Sequence, residues 1–184
     1  MKILVLSDIH YPFTDVDAIK TAIKSESPDK LVLLGDTIEK AGTERDFQSL
    51  IPKSLGRNTY YVMGDEDKIK AKYEILRIKV GKRKFVFVHG HQFNIGSDRV
   101  TACIASAFKI FGSGLPLFAF SERARKKLRL TDEYLVLGHT HGLKYFESIR
   151  TVCSGTMSEL KGVYNDRGYV VINNGDIELR RIRL

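Results

Sequence analysis

All five histidines of the chain fall in three short segments, each placed just past an apolar run. Asp8-Ile9-His10 follows Ile3-Leu4-Val5-Leu6. His89-Gly90-His91 follows Phe85-Val86-Phe87-Val88, and His139-Thr140-His141 follows Leu135-Val136-Leu137-Gly138. Two carboxylates punctuate the chain in the same way. Gly35-Asp36 follows Leu31-Val32-Leu33-Leu34, and Gly64-Asp65 follows Tyr60-Tyr61-Val62-Met63. Imidazole nitrogen mixed with carboxylate oxygen suits Mn²⁺, Fe or Zn²⁺ better than Ca²⁺, which prefers oxygen alone. A pair of ions takes about seven protein donors with one carboxylate shared, which leaves positions for water or substrate. Asp8, His10, Asp36, Asp65, His89, His139 and His141 would supply them.

Each segment also has a plainer use. Asp8 could cap a turn, and Gly35-Asp36 could end a strand in an ordinary turn. Gly64-Asp65-Glu66-Asp67 could open a helix, where acids are favoured by the dipole. The two His-x-His segments are harder to explain away. On an extended strand alternate residues point the same way, so each segment is expected to present two imidazoles to one side.

The elements that must position these residues are read from periodicity. Apolar, β-rich runs recur at 2–7, 30–35, 59–64, 84–89, 133–138, 150–154, 168–173 and 176–183. The first three are nearly continuous, as expected of strands covered on both faces. Between the first two, Val16, Ile19 and Ile23 have helical spacing over 15–26, with Pro28 just beyond. Between the second and third, 43–53 predicts a helix capped by Thr43, with Phe47 and Leu50-Ile51 as its apolar stripe. This alternation is βαβαβ. The later half is richer in short β runs, separated by Gly142, Gly155, Gly168 and Asn174-Gly175. Strand-end loops are where open α/β sheets gather ligands, so separated segments can converge.

Residues 94–131 break this rhythm. A charge-poor, helix-like run, Val100 to Phe108, precedes Lys109, Gly112, Gly114 and Pro116, and a basic segment follows from Ser121 to Arg129. The length of 100–120 approaches the ~20 residues of a membrane span, but the lysine, glycines and proline argue against one. A helical cap over the site, a homodimer contact, or an apolar helix pair resting on a membrane surface is expected instead.

Composition sets the remaining bounds. At 184 residues, with 43% hydrophobic and 28% charged residues, the chain is expected to form one globular domain over 1–184. Met1-Lys2 leads straight into an apolar run with no separate h-region, which predicts no signal peptide and a cytoplasmic location. Cys103 and Cys153 form no CxxC or CxxH pattern, consistent with free thiols in a reducing compartment. The net charge of +8, from 30 basic and 22 acidic residues, favours anionic partners such as a phosphorylated small molecule or nucleotide. No aromatic residues interleave with the basic run, so no dedicated nucleic-acid module is expected.

Taken in order, Asp8-x-His10, Gly35-Asp36, Gly64-Asp65-Glu66-Asp67, His89-Gly90-His91 and Gly138-His139-x-His141 resemble the motifs of the calcineurin-like metallophosphoesterases. The likeness is to their small single-domain phosphodiesterases and spans about residues 1–160. It implies an α/β fold, a four-layer αββα sandwich of two mixed sheets flanked by helices, with 94–131 as a helical insertion. It further implies that Asp8, His10 and His141 bind one ion, that Asp36 bridges, and that Asp65, His89 and His139 bind the other. His91 would stand behind the ligands or touch phosphate.

Two residues depart from the family pattern. Asp65 stands where Asn is usual, and Glu66 where many members have a His that assists the leaving group. An anionic ligand suits Mn²⁺ or Mg²⁺, but it adds negative charge beside an incoming phosphate. Glu66 could donate a proton only if its pKa were raised. The expected activity is hydrolysis of a phosphodiester by in-line attack of a metal-bridging hydroxide, with Asp36, His91 and Glu66 as catalytic candidates. Mn²⁺ is the first expected metal, with Ni²⁺, Fe²⁺, Zn²⁺ and Mg²⁺ as others. The alternatives are a catalytically weak scaffold of this fold, as in a retromer subunit, and a nucleotide or lipid-linked pyrophosphate hydrolase. Some of the latter carry a helical cap between these same two motifs.

Overall fold

The computed structural model describes residues 1–68, 71–94, 103, 106, 114–160 and 163–182. The first half alternates as the periodicity predicts. Strand β1 (Lys2–Ser7), helix α1 (Val16–Glu26), β2 (Lys30–Leu34), helix α2 (Glu44–Gln48) and β3 (Thr59–Val62) follow one another, and the three strands are parallel. Asp15 caps α1 by accepting the N–H groups of Asp17 and Ala18 at 3.0 Å. Ser27 closes it in a left-handed conformation just before Pro28.

The second predicted helix is shorter than 43–53. Thr43 caps it as expected, accepting from the Asp46 N–H. After Gln48 the bonds tighten to the i−3 pattern, with Leu50 N–H to Phe47 O and Ile51 N–H to Gln48 O. Pro52 then pushes Ile51 away from helical geometry. A 3₁₀ turn, Lys53–Asn58, follows.

The remaining strands are β4 (Leu76–Val80), β5 (Arg83–Val88), β6 (Tyr134–Leu137), β7 (Leu143–Phe146), β8 (Thr151–Ser154), β9 (Gly168–Asn173) and β10 (Asp176–Arg181). Neither β4 nor β7 is among the expected runs. The strands form two mixed five-stranded sheets, ordered β10-β9-β1-β2-β3 and β4-β5-β6-β8-β7. Antiparallel β4 and β7 edge the second sheet, while β5, β6 and β8 are parallel at its centre.

Strand alternation divides the apolar residues into layers. Ile3, Val5, Val32, Leu34, Val170 and Ile172 of the first sheet pack against Val80, Phe85, Phe87, Val136 and Val152 of the second. The opposite face of the first sheet, with Leu4, Leu6, Leu31 and Leu33, packs against Ile19, Ile23 and Phe47 of α1 and α2. The outer face of the second sheet carries Val86, Val88, Leu135 and Leu137 against Ala124 of helix α3 (Leu115–Leu128). The result is the four-layer αββα sandwich. Burial on both faces explains the continuous apolar runs, since each fully buried aliphatic side chain contributes roughly 1.5–3 kcal/mol.

Helix α3 changes the picture of the 94–131 segment. Pro116 sits in its first turn, where a missing N–H costs nothing. The basic residues from Ser121 onward continue the same helix, which ends with Arg129 in a left-handed conformation. Arg125 is buried and ties to Glu133 O at 2.9 Å and Thr131 O at 3.1 Å. Of the Val100–Phe108 run, only Cys103 falls within the described residues besides Ser106, so its expected helix-pair and contact roles lie outside them. Among the described residues, no helix is long and apolar enough to cross a membrane.

Candidate metal centre

The parallel strands β1, β2, β5 and β6 all deliver their C-terminal ends to one edge of the sandwich, and β3 does so beside them. The chain bends sharply there. Asp8, His10, Asp36, His139 and His141 all have φ between 44° and 63°, in the left-handed region that non-glycine residues seldom occupy. Such positions cost about 1–3 kcal/mol each and persist only where the surroundings enforce them. Two glycines permit the close approach. A Cβ on Gly35, itself at φ +75°, would lie 2.2 Å from His89 Nδ1, and one on Gly64 would lie 2.1 Å from Asp36 Oδ1.

The donors gather into two groups whose ligand atoms lie within 4.8 Å of one another. Asp8, His10 and His141 form the first, and Asp36, Asp65, His89 and His139 the second. In the first, His141 Nε2 is 3.4 Å from Asp8 Oδ1. The Asp8 carboxylate also accepts the His139 N–H at 3.0–3.1 Å and the Ser7 hydroxyl. In the second, His89 Nε2 lies 3.2 Å from Asp36 Oδ2 and 3.1 Å from Asp65 Oδ1, and His139 Nδ1 lies 3.6 Å from Asp65 Oδ1. Asp36 Oδ2 is 4.0 Å from His10 Nε2, so Asp36 stands between the groups.

The His-x-His segments do not lie on extended strands. β5 ends at Val88 and β6 at Leu137, so all four histidines lie in the following loops. His139 and His141 therefore face different groups. His89 joins the second group, while His91 opens a 3₁₀ turn, His91–Phe93, with its Nδ1 3.6 Å from Asp65 Oδ1. His91 belongs to neither group.

No helix follows Gly64 among the described residues. Asp67 instead accepts three backbone N–H groups, from Thr37 at 2.6 Å, Ile38 at 3.2 Å and Gly64 at 2.8 Å. It thereby clamps the Asp36 loop to the Asp65 loop. Glu66 donates its backbone N–H to Asp36 Oδ1 at 3.0 Å, while its side chain, 57% exposed, reaches toward His10 Nδ1 at 3.4 Å.

Electrostatics reflect dense packing of opposite charges. Burial alone would raise the Asp8 carboxyl, but the His89 charge and the His141 hydrogen bond hold it well below the usual range. Burial works the same way on Asp65, and its bond to His89 and the charges of His139 and His89 bring it down to about 2. Burial would depress the His89 imidazole, yet Asp8, Asp36 and Asp65 raise it well above the ordinary value. His141 is raised by Asp8 against burial, whereas His139 is lowered by burial and by the His89 charge. Glu66 is raised by burial, by a hydrogen bond that its protonated form makes to Glu39 and by the Asp36 charge.

The donor chemistry fits divalent cations. Three carboxylates converge with four imidazoles, with Asp8, His10, Asp36 and His89 buried and Asp65 at the surface. His89 donates Nδ1–H toward Leu34 O at 3.1 Å and turns Nε2 to the carboxylates. Among the described residues, the buried His10 Nε2 and His141 Nδ1 have no hydrogen-bond partner. Three residues beyond the seven support them. Glu39 Oε1 lies 2.7 Å from His10 Nδ1, the Asn94 amide lies 2.9 Å from His139 Nε2, and Asp67 clamps the loops. The Gly-Asp-x-x-Glu spacing of Glu39 was the one sequence signal available for any of them.

Two mixed sheets between helices carry imidazoles and carboxylates gathered at the strand ends, a donor set that suits divalent cations. The chain belongs to the calcineurin-like phosphoesterase superfamily, whose domain model matches residues 1–183. No curated protein matches the sequence. The fold is similar to that of Chaetomium thermophilum Vps29, with TM-score 0.62, 15% identity, and 98% of this chain and 96% of that one covered. It is also similar to YfcE, a phosphoesterase from E. coli, with TM-score 0.58, 18% identity and 95% and 89% covered. Wild-type Vps29 from Entamoeba histolytica, solved with Zn²⁺, aligns with TM-score 0.56, 18% identity and 99% and 98% covered.

Proposed function

We propose that this chain is a dinuclear, metal-dependent phosphodiesterase. The observation that carries the proposal is the convergence of seven mixed donors into two groups with Asp36 between them. Asp8, His10 and His141 would hold one ion, Asp65, His89 and His139 the other, and Asp36 both. When bound, such ions neutralise phosphoryl charge and bring the pKa of a coordinated water toward neutrality. Mn²⁺ is the first candidate; the Zn²⁺-bound relative supports a divalent ion in this fold, and Ni²⁺, Fe²⁺ and Mg²⁺ suit the same donors.

The chain's own groups do the remaining work. Burial of Asp8 and His89 excludes water from the floor of the site and strengthens its electrostatics. His91, part-exposed beside Asp65, is assigned to a phosphate oxygen. Glu66, exposed at the rim, is assigned the proton for the departing alkoxide. The substrate is an anionic phosphorylated small molecule or nucleotide.

Hydrolysis of bis-p-nitrophenyl phosphate by metal-free protein supplied with each of Mn²⁺, Ni²⁺, Co²⁺, Zn²⁺ and Mg²⁺ tests the proposal. Turnover with at least one is expected. Stoichiometric metal without turnover would sink it in favour of a second reading, a metal-holding scaffold for partner proteins. That second reading draws on Asp65 and Glu66, the two positions at which the chain departs from the family pattern.

A further inference from the structure

The ring nitrogen of His10 that faces away from the other donors is bound by a residue outside the seven. Glu39 Oε1 lies 2.7 Å from His10 Nδ1. The two segments are also laced together through their backbones, with Tyr11 N–H to Thr37 O at 3.0 Å and Glu39 N–H to Tyr11 O at 2.9 Å. The position of Glu39 is therefore set by the fold and not by a lone side-chain contact. An ionised carboxylate only accepts, so a neutral imidazole beside it keeps its proton on Nδ1 and its lone pair on Nε2. His10 Nε2 is buried, has no hydrogen-bond partner among the described residues and lies 4.0 Å from Asp36 Oδ2.

We propose that Glu39 is a positioning residue, which fixes His10 as the Nδ1–H tautomer and presents its Nε2 lone pair to the first ion. This inference rests on the dinuclear reading above. Backbone Leu34 O serves His89 in the same way, and the Asn94 amide contacts His139. Glu39 alone among these three supports is charged, and it serves the group with the fewest donors. Glu66 Oε2 approaches the same nitrogen only to 3.4 Å and is more than half exposed, so it is the weaker partner. His10, Glu39 and Glu66 also lie close enough to ligate an ion themselves, which is the competing role that the experiment must separate.

Three proteins are compared: wild type, Glu39→Ala and Glu39→Gln. Nitrogen-15 imidazole spectra of metal-free wild type, recorded where His10 is neutral, are expected to show Nδ1 protonated. Calorimetric and EPR titration with Mn²⁺ is expected to find two sites in wild type. In Glu39→Ala one of the two sites is expected to weaken by about 10–100-fold while the other is kept. Glu39→Gln, whose amide oxygen accepts the same bond, is expected to recover most of the loss. An Nε2–H tautomer in wild type, or equal Mn²⁺ affinity in Glu39→Ala, would overturn the proposal. So would a glutamine variant no better than alanine, since that points to Glu39 as a direct ligand. If the alanine variant does not fold, the wild-type spectrum and the glutamine variant still decide. Wild type that binds fewer than two ions overturns the dinuclear reading itself, a result distinct from all of these.

Discussion

The two donor groups are built differently. Asp8, His10 and His141 all sit on left-handed backbone, and Asp8 and His10 are almost wholly buried. In the second group only Asp36 and His139 are left-handed, and Asp65 is 26% exposed. The first group is thus shaped by the main chain: its three donors sit on left-handed backbone, and Asp8 accepts the backbone N–H of His139. The second is shaped more by side chains meeting across the sheet ends. Its one unusual member, Asp65, is also its most accessible. A site shaped by backbone should resist change until the fold itself gives way, whereas a site shaped by side chains should be tunable.

The largest effect is expected where the backbone itself is challenged. Gly35→Ala adds a Cβ to a left-handed residue and drives it into the buried His89 ring. Left-handed backbone costs roughly 1–2 kcal/mol and overpacking roughly 1–3 kcal/mol more, so a total loss of about 2–5 kcal/mol is expected. Urea unfolding of the metal-free variant measures it. Unchanged stability would mean that the Gly35–His89 contact can open freely and that the backbone at Gly35 does not constrain the second group.

Next comes the pH response, which sets the metal-free site against the loaded one. In the metal-free protein, raised His89 and His141 stabilise fully below their ordinary value of 6.5, and that contribution is lost as pH rises through the higher folded values. Lowered Asp65 contributes above its ordinary 3.8, and loses that contribution as pH falls toward about 2. His139 opposes the other histidines, because its lowered value penalises protonation in the fold. The metal-free melting temperature should therefore decline from about pH 6.5 upward. Added Mn²⁺ should stabilise more as pH rises over the same range, since the ligating imidazoles must be neutral. Melting curves with chelator and with Mn²⁺ give both slopes; parallel slopes would separate these histidines from metal binding.

A smaller effect is expected at Asp65. Removing one charge next to a partly exposed phosphate site is worth about 1 kcal/mol, or roughly fivefold in rate. Asp65→Asn should raise turnover of a diester by about that factor, while weakening Mn²⁺ binding at one of two sites. Partner binding by a scaffold would not change. A variant with unaltered turnover and unaltered Mn²⁺ affinity would remove Asp65 from the ligand set.

The legibility of the molecule follows the same contrast between backbone and side chains. The central strands were plain in sequence because burial on both faces demands unbroken apolar runs. β4 and β7 were not, because they are edges: Leu76-Arg-Ile-Lys-Val80 alternates with cations, and Leu143–Phe146 has only four residues. The histidines and aspartates of the site were plain because each lies in the loop that follows a strand. Their directions were not. His139 and His141 diverge through left-handed turns that no pattern of residue types announces. Glu39, Asn94 and Asp67 were hidden because each acts on a residue from another segment, and only the packed loops bring them there.

The smallest expected effect lies on the outer layer, at α3. Arg123 Nε donates to Phe93 O at 2.8 Å, and Lys127 Nζ reaches Gln92 O at 3.4 Å. These cations brace the turn that starts at His91, so they are not wholly free to attract substrate. Arg123→Ala is expected to cost about 1 kcal/mol of stability through the lost carbonyl bond. A bracing role predicts that the kcat for a diester falls a few-fold with little change in KM and little dependence on salt. A steering role predicts the reverse: a higher KM, with a salt dependence that the variant loses. Kinetics at low and high ionic strength separate the two. A steering result would place the basic face of α3 on the substrate's path and make the outer layer part of the site's chemistry.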